Sequence, residues 1–188
     1  MNHHEQESLD IFPLIRKRWS PRAFSTQAVE ERKILSLVEA ARWSPSASNE
    51  QPWRFIIGQK GDEKYQKIYE TLDDWNKEWL NEVPPVLVLN LAKKHQEHNG
   101  KINPTAQYDL GQAVFAMVLE AFHLGMVAHE MSGFDHKKIM ELFSLSNEYE
   151  PVSVTVFGYH GDDKQLNEAF YKREHRERVR KPIEDLLF

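Results

Sequence analysis

The stretch Glu39-Ala40-Ala41-Arg42-Trp43-Ser44-Pro45-Ser46-Ala47-Ser48-Asn49-Glu50-Gln51-Pro52-Trp53 contains a helix end, a loop and a strand start within fifteen positions. Upstream of it, Ile34, Leu35, Leu37, Val38 and Ala41 form a broad apolar stripe behind Glu30 and Glu31, whose charges suit the positive end of a helix. That helix must finish near Trp43, because the residue before a proline is pushed out of the helical region. Downstream, Trp53 to Ile57 reads as a strand stopped by Gly58 and Gly61. Between the two, small hydroxyl side chains and Asn49 lie between prolines, which makes a stiff helix-to-strand loop. Asn49 and Gln51 can offer both donors and acceptors to a planar heterocycle, and a plain structural turn is the simpler alternative.

Further along, Asp62 to Leu80 has mixed helical character, and Pro84 and Pro85 introduce the continuous apolar run Val86-Leu87-Val88-Leu89, expected as a strand buried on both faces. Lys93 to Asn103 reads as a loop. From Thr105 to Leu124, Leu110, Val114, Met117 and Ala121 recur at helical spacing. Ala113, Ala116, Val118 and Phe122 leave so little polar face that this helix should be central. Gly125 ends it, Asp135 caps a short helix from His136 to Phe143, and Val152 to Tyr159 is a further strand. Toward the start, Leu9 to Ile15 shows one apolar helical face, with Pro13 acceptable only in a first turn.

This pattern predicts an α+β fold, with residues 1–8 as a flexible N-terminus, 9–188 as a single domain and 164–188 as a C-terminal extension. The extension is charged and ends in Leu186-Leu187-Phe188, an apolar tip that suggests an arm lying on another surface such as a second subunit.

With 24 Lys and Arg against 29 Asp and Glu, the formal charge of -5 argues against a general nucleic-acid-binding surface. No cysteine is present, which excludes thiol nucleophiles, disulfides and thiolate-bound metal clusters. No apolar run approaches the ~18 residues of a membrane span. The polar start, with Glu5, Glu7 and Asp10, carries nothing like a secretion signal, so a cytoplasmic location is expected. His95 and His98 sit among Lys93, Lys94 and an Asn-Gly pair, and His129-Glu130 has Gly133 where a zincin would need its second histidine; no metal site is expected. The serine elbow, the P-loop and the G-x-G-x-x-G fingerprint are all missing.

Two basic clusters stand at opposite ends of the chain: Arg16, Lys17 and Arg18 with Ser20 and Arg22, and Arg176, Arg178, Arg180 and Lys181. Guanidinium forks and hydroxyls are the groups expected around a phosphate, and a solvated basic face at each end is the simpler reading. A single site built from both requires the termini to meet.

Taken in order, Arg18-Trp-Ser20-Pro-Arg22-Ala-Phe24, the Glu39–Trp53 block, Asp109-Leu-Gly111-Gln-Ala113, Leu124-Gly125, Met131-Ser-Gly133-Phe-Asp135, Val156-Phe-Gly158-Tyr159 and Arg178-Val-Arg180-Lys-Pro182-Ile-Glu184 resemble the nitroreductase family of FMN-dependent flavoproteins. The match runs from about residue 10 to the C-terminus. It implies a central, mostly antiparallel sheet flanked by helices, in a homodimer with FMN at the subunit interface and the C-terminal arm exchanged. It also implies that Arg18, Ser20 and Arg22, joined by Arg178 and Arg180, contact the FMN phosphate and ribityl chain. Ser46, Ala47, Ser48 and Asn49 would line the isoalloxazine, supported by Gln51. Met131, Ser132 and Gly133 would approach its other side, with a backbone N–H near N5.

The activity implied is hydride transfer from NADH or NADPH to FMN N5, followed by reduction of a small-molecule acceptor such as a nitroaromatic or quinone in a ping-pong cycle. The flavin would do the chemistry, so no side chain is expected as nucleophile. A related flavoenzyme with another redox substrate, or a non-enzymatic flavin-binding protein, is the alternative. Three features depart from the larger family members: the bulky Trp19 before Ser20, the absence of a Glu-Gly pair in Val127–Met131, and the short stretch between Trp79 and Pro104.

Overall fold

Pro84 and Pro85 start the strand at the centre of the structure, a computed structural model that describes residues 9–81 and 83–187. The expectations for residues 1–8 and for Phe188 at the apolar tip lie outside the described residues. The strand, β2 (Val86–Lys93), is buried as far as Ala92 and so runs past the predicted end at Leu89. Asn90 is accommodated within it because its side-chain nitrogen donates to Ser153 Oγ at 3.0 Å and Thr155 Oγ1 at 2.8 Å across the ladder.

Four strands pair antiparallel in the order β1-β2-β4-β3, where β1 is Trp53–Gln59, β3 Val127–Met131 and β4 Tyr149–Gly158. Val88 faces Ile57 on one side and Thr155 on the other, and a bulge interrupts the β2–β4 ladder at Asn90/Leu91. One sheet face is covered by α2 (Glu31–Arg42) and α5 (Ala106–His123), which bury Leu37, Ala41, Leu110, Val114 and Met117 against Val88 and Phe157. Leu87, Leu89, Val154 and Val156 point to the other face. They pack under α3 (Glu63–Thr71), α4 (Asp74–Leu80) and α6 (His136–Leu142) through Tyr65, Ile68, Trp79 and Ile139. The expected α+β architecture with a helix-flanked antiparallel sheet is therefore present. Among the described residues no helix is long and apolar enough to cross a membrane.

Several local expectations are corrected. Asp62 to Leu80 is two helices, because Asp62 caps one by accepting from Tyr65 N at 2.6 Å and Asp73 caps the next by accepting from Asn76 N at 2.7 Å. The apolar face of residues 9–15 shrinks to α1 (Pro13–Lys17), and Leu9, Ile11, Phe12 and Ile15 stay exposed because no described residue covers them. Asp135 does cap α6, accepting from Lys138 N at 2.9 Å. The last helix, α7 (Glu168–Glu174), is followed by an exposed segment in which Val179, Ile183, Leu186 and Leu187 face solvent.

Gly58 does not stop β1 but lies inside it. A Cβ there would stand 2.5 Å from both the N and Cα of Tyr65, so the backbone of α3 rests directly on the strand. Gly58→Ala should therefore cost about 2 kcal/mol, as over-packing against backbone does. A lower urea midpoint at unchanged slope is the expected result, and an unchanged midpoint would refute this packing.

Candidate functional site

The two basic clusters meet. Arg178 Nη2 donates to the carbonyls of Arg16 at 3.1 Å and Arg18 at 2.7 Å, which ties the C-terminal segment to the N-terminal one. Residues 20–25 are threaded beside the β3–β4 edge of the sheet. His129 Nδ1 lies 2.8 Å from the carbonyl of Pro21, Gly161 N donates to Ala23 O at 2.9 Å, and Ser25 N donates to Tyr159 O at 2.9 Å. A carbonyl only accepts, so Nδ1 of His129 carries the proton.

Burial pushes the Arg18 guanidinium below its ordinary pKa, and the nearby positive charges of Arg178 and Arg180 push the same way, with Glu130 opposing. Burial also lowers Arg22, against the attraction of Glu174. The Nε atoms of Arg18 and Arg22 are both buried, without a hydrogen-bond partner among the described residues. Like charges drawn together around unmatched buried donors are costly, and an anion accepting from them would offset that cost. Ser20 stands exposed on the same segment, its hydroxyl accessible to such an anion.

His129 is neutral at physiological pH: burial lowers its pKa to about 4 despite the bond to Pro21, and its ring lies 4.6 Å from that of Trp79. The neighbouring Glu130 is raised by burial, with Arg18 opposing. His129 thus holds backbone and is no source of protons.

The loop before β1 is built differently. Ala47–Asn49 forms a 3-10 turn in which Ser48 has φ 52°; Asn49 (φ 55°) and Gln51 (φ 47°) are also left-handed. Three such residues in four positions, none glycine, store backbone strain, which collects at functional sites. The surroundings enforce it. Asp109, buried in the first turn of α5, accepts from Ala47 N at 3.2 Å and from Thr105 Oγ1 at 3.0 Å. Ser46 Oγ accepts from Gln51 N at 2.9 Å, and Gln51 Nε2 donates to Asn49 O at 3.2 Å. Glu50 turns inward, accepting from Glu97 N at 2.7 Å and pairing with His98. The outcome is a rigid loop beside an open pocket of about 600 Å³, lined by Ser48, Asn49, Gln51, Trp53 and Arg54 together with Glu97 and His98.

The third predicted element follows β3. Met131 is buried in the core, Ser132 is exposed, and the Gly133 carbonyl accepts from Asp73 N at 3.0 Å and Asn76 Nδ2 at 3.1 Å. A Cβ at Gly133 would meet Asp73 Oδ2 at 1.9 Å, so any larger residue there would displace the carboxylate that caps α4. This segment and the arginines share the β3 edge, whereas the 46–51 loop leads into β1 at the opposite edge. Three strand spacings, about 14 Å, separate the edges. The chain brings Arg18, Arg178 and Arg180 together, sets Arg22 beside Glu174 on the same edge, and leaves Ser46–Gln51 apart from them.

The model of the nitroreductase family matches residues 15–72 and 58–159. The chain belongs to the nitroreductase family. A solved oxidoreductase containing FMN is 32% identical with a TM-score of 0.89, over 97% of this chain and 93% of that one. The protein DrgA of Synechocystis is 29% identical over 95% of each chain. A nitroreductase family protein from Clostridium difficile 630, 23% identical, shares the fold with a TM-score of 0.73, over 96% of this chain and 98% of that one. Membership carries the family-level activity, that of an FMN-dependent NAD(P)H oxidoreductase acting on an external acceptor.

In this member of the family, sequence reading passed over residues that shape the site. Asp109 and Glu50 fix the 46–51 loop, and His129 fixes Pro21. Asp109 carried a signal, since a carboxylate in the first turn of an otherwise apolar helix invites a question about its partner. His129 carried none, because its partner lies 108 residues away.

Proposed function

We propose that Arg18, Arg22, Arg178 and Arg180, with the Ser20 hydroxyl, hold the phosphate of FMN, and that the 46–51 loop of a second copy of this chain lies along the isoalloxazine. The observation that carries this reading is the pair of buried, unmatched Nε donors on Arg18 and Arg22, the first of them beside the like charges of Arg178 and Arg180. A phosphate dianion suits such a cluster in both charge and lone-pair geometry.

Two further observations support a homodimer. The loop and the arginine cluster occupy opposite sheet edges, which suits a flavin held between two chains. Large apolar side chains also stand exposed at α1, at the end of α2, along α5 and in the tail: Phe12, Trp43 (75%), Tyr108 (71%), Phe115 and Leu187. Their spread over four segments suits a broad obligate interface.

When bound, the flavin supplies a hydride acceptor and donor at N5. The residues of this chain do the rest. The arginines neutralise the phosphate and set its position, and the strained loop presents backbone groups to the ring without further reorganisation. Met131, Ser132 and Gly133 bring backbone toward the opposite side, where the tight fit of Gly133 on Asp73 keeps the segment from shifting. NADH or NADPH is the donor, and a small oxidised molecule such as a nitroaromatic or quinone is the acceptor.

An anaerobic absorbance titration of the FMN-reconstituted protein tests the reading. The band near ~450 nm should bleach with one equivalent of NADH or NADPH per flavin. Bound flavin that neither nicotinamide bleaches would overturn the donor assignment, and failure to retain FMN would overturn the whole reading.

A further inference from the structure

Glu174 is the last residue of α7, 152 positions beyond Arg22, yet it is buried against it. Its Oε2 accepts from the backbone N–H of Arg22 at 2.7 Å and its Oε1 from that of Ala23 at 3.2 Å. His160 Nε2 is 3.6 Å from Oε1, and the ring of Trp19 lies 5.7 Å from that of His160. The carboxylate is delivered by a short helix with firm anchors. Asn167 caps its start by accepting from Phe170 N at 3.0 Å, and Phe170 is sunk into the core against Trp75.

One carboxylate accepting from two consecutive amides fixes the backbone of residues 22 and 23, and so the direction in which the Arg22 side chain leaves it. On the other side of the same segment, His129 takes the Pro21 carbonyl. Pro21–Ala23 is thus gripped from both sides, by β3 and by α7.

We infer that Glu174 is a positioning residue for the cofactor: by clamping the amides of Arg22 and Ala23 it aims the Arg22 guanidinium at the FMN phosphate. This rests on the phosphate reading above. A direct role for Glu174 is excluded by its charge, since a carboxylate repels a phosphate. Its occupation of both amides also leaves the guanidinium as the group that Arg22 offers an anion. The C-terminal helix is in this way part of the cofactor site although its hydrogen bonds to residues 22 and 23 reach only backbone.

The test compares FMN with riboflavin, which lacks only the phosphate, by fluorescence titration of the full-length protein. Glu174→Gln replaces one acceptor oxygen with an amide NH2 that faces a donor, so one of the two bonds must fail. The expected result is an FMN Kd raised about tenfold, equal to ~1.4 kcal/mol, with the riboflavin Kd unchanged within twofold. In an Arg22→Ala background the same substitution should change neither affinity, because its effect runs through Arg22. If FMN and riboflavin weaken together, Glu174 merely supports the fold and the proposal is wrong. If the wild type prefers FMN and Glu174→Gln keeps that preference, the proposal is wrong while the phosphate reading stands. A wild type that does not distinguish the two flavins would overturn the phosphate reading itself. Should Glu174→Gln fail to fold, Glu174→Asp, which keeps the charge but shortens its reach, gives the same comparison.

Discussion

Arg18→Met should weaken FMN binding by about tenfold to a hundredfold while leaving the flavin-free protein as stable as before, or more so. The loss follows from removing a charged donor to a phosphate, worth about 1.5–3 kcal/mol. The stability result follows from what surrounds Arg18 in the chain itself. Its guanidinium is partly buried, its Nε has no partner among the described residues, and Arg178 and Arg180 repel it. Methionine keeps the apolar stem and removes the charge, so packing survives while the repulsion disappears. The bond from Arg178 to the Arg18 carbonyl does not depend on the side chain and remains. A residue that costs the empty fold and serves the bound cofactor shows the trade of stability for function in a single side chain. Calorimetry of the flavin-free protein beside an FMN titration checks both halves. A lower melting temperature with undiminished FMN affinity would show Arg18 to be structural.

The wild type should lose stability as the pH falls from about 6.5 toward about 4, and His129 should account for about 3 kcal/mol of that loss. Burial holds the folded imidazole at a pKa of about 4, against 6.5 for an ordinary histidine. In the unfolded chain the ring takes up its proton as the pH drops through 6.5, and in the fold it stays neutral until about 4. Protons therefore favour the unfolded state throughout this window, and the contribution is complete only above it. His129→Asn removes the titrating group and keeps an N–H donor for Pro21. Urea unfolding of both proteins at pH 7 and pH 4.5 isolates the effect, because carboxylates elsewhere contribute equally to both. Parallel losses in the two proteins would place the imidazole in a more solvated setting than its contacts with Trp79 and Pro21 describe.

Much of this chain was legible locally. The Glu39–Trp53 block announced a helix, a stiff loop and a strand, because prolines and small polar residues act on their neighbours regardless of the rest of the fold. The crowded apolar pattern of 105–124 could only be a central helix, and α5 is one. Asp135 before His136 declared a cap. The arginines and Ser20 were recognisable by their chemistry as candidates for a phosphate site.

Other features had no local signal. Gly58 looked like a strand stop, since a close approach by the α3 backbone leaves no trace in the residues around it. β3 escaped notice because His129 and Glu130 break the apolar run of a strand only five residues long. The apolar face at residues 9–15 promised a longer helix than forms, because no described residue covers that face.

The residue types themselves thus determined the kind of chemistry this protein carries, its alternation of helices and strands, and its membership in the nitroreductase family, all properties of short segments and their order. Only the tertiary structure decided that Arg178 reaches the carbonyl of Arg18, that Glu174 closes on the amides of Arg22 and Ala23, and that His129 stays neutral beneath Pro21. Each of these joins groups more than 100 residues apart and depends on burial, which a side chain acquires only from the elements that come to cover it.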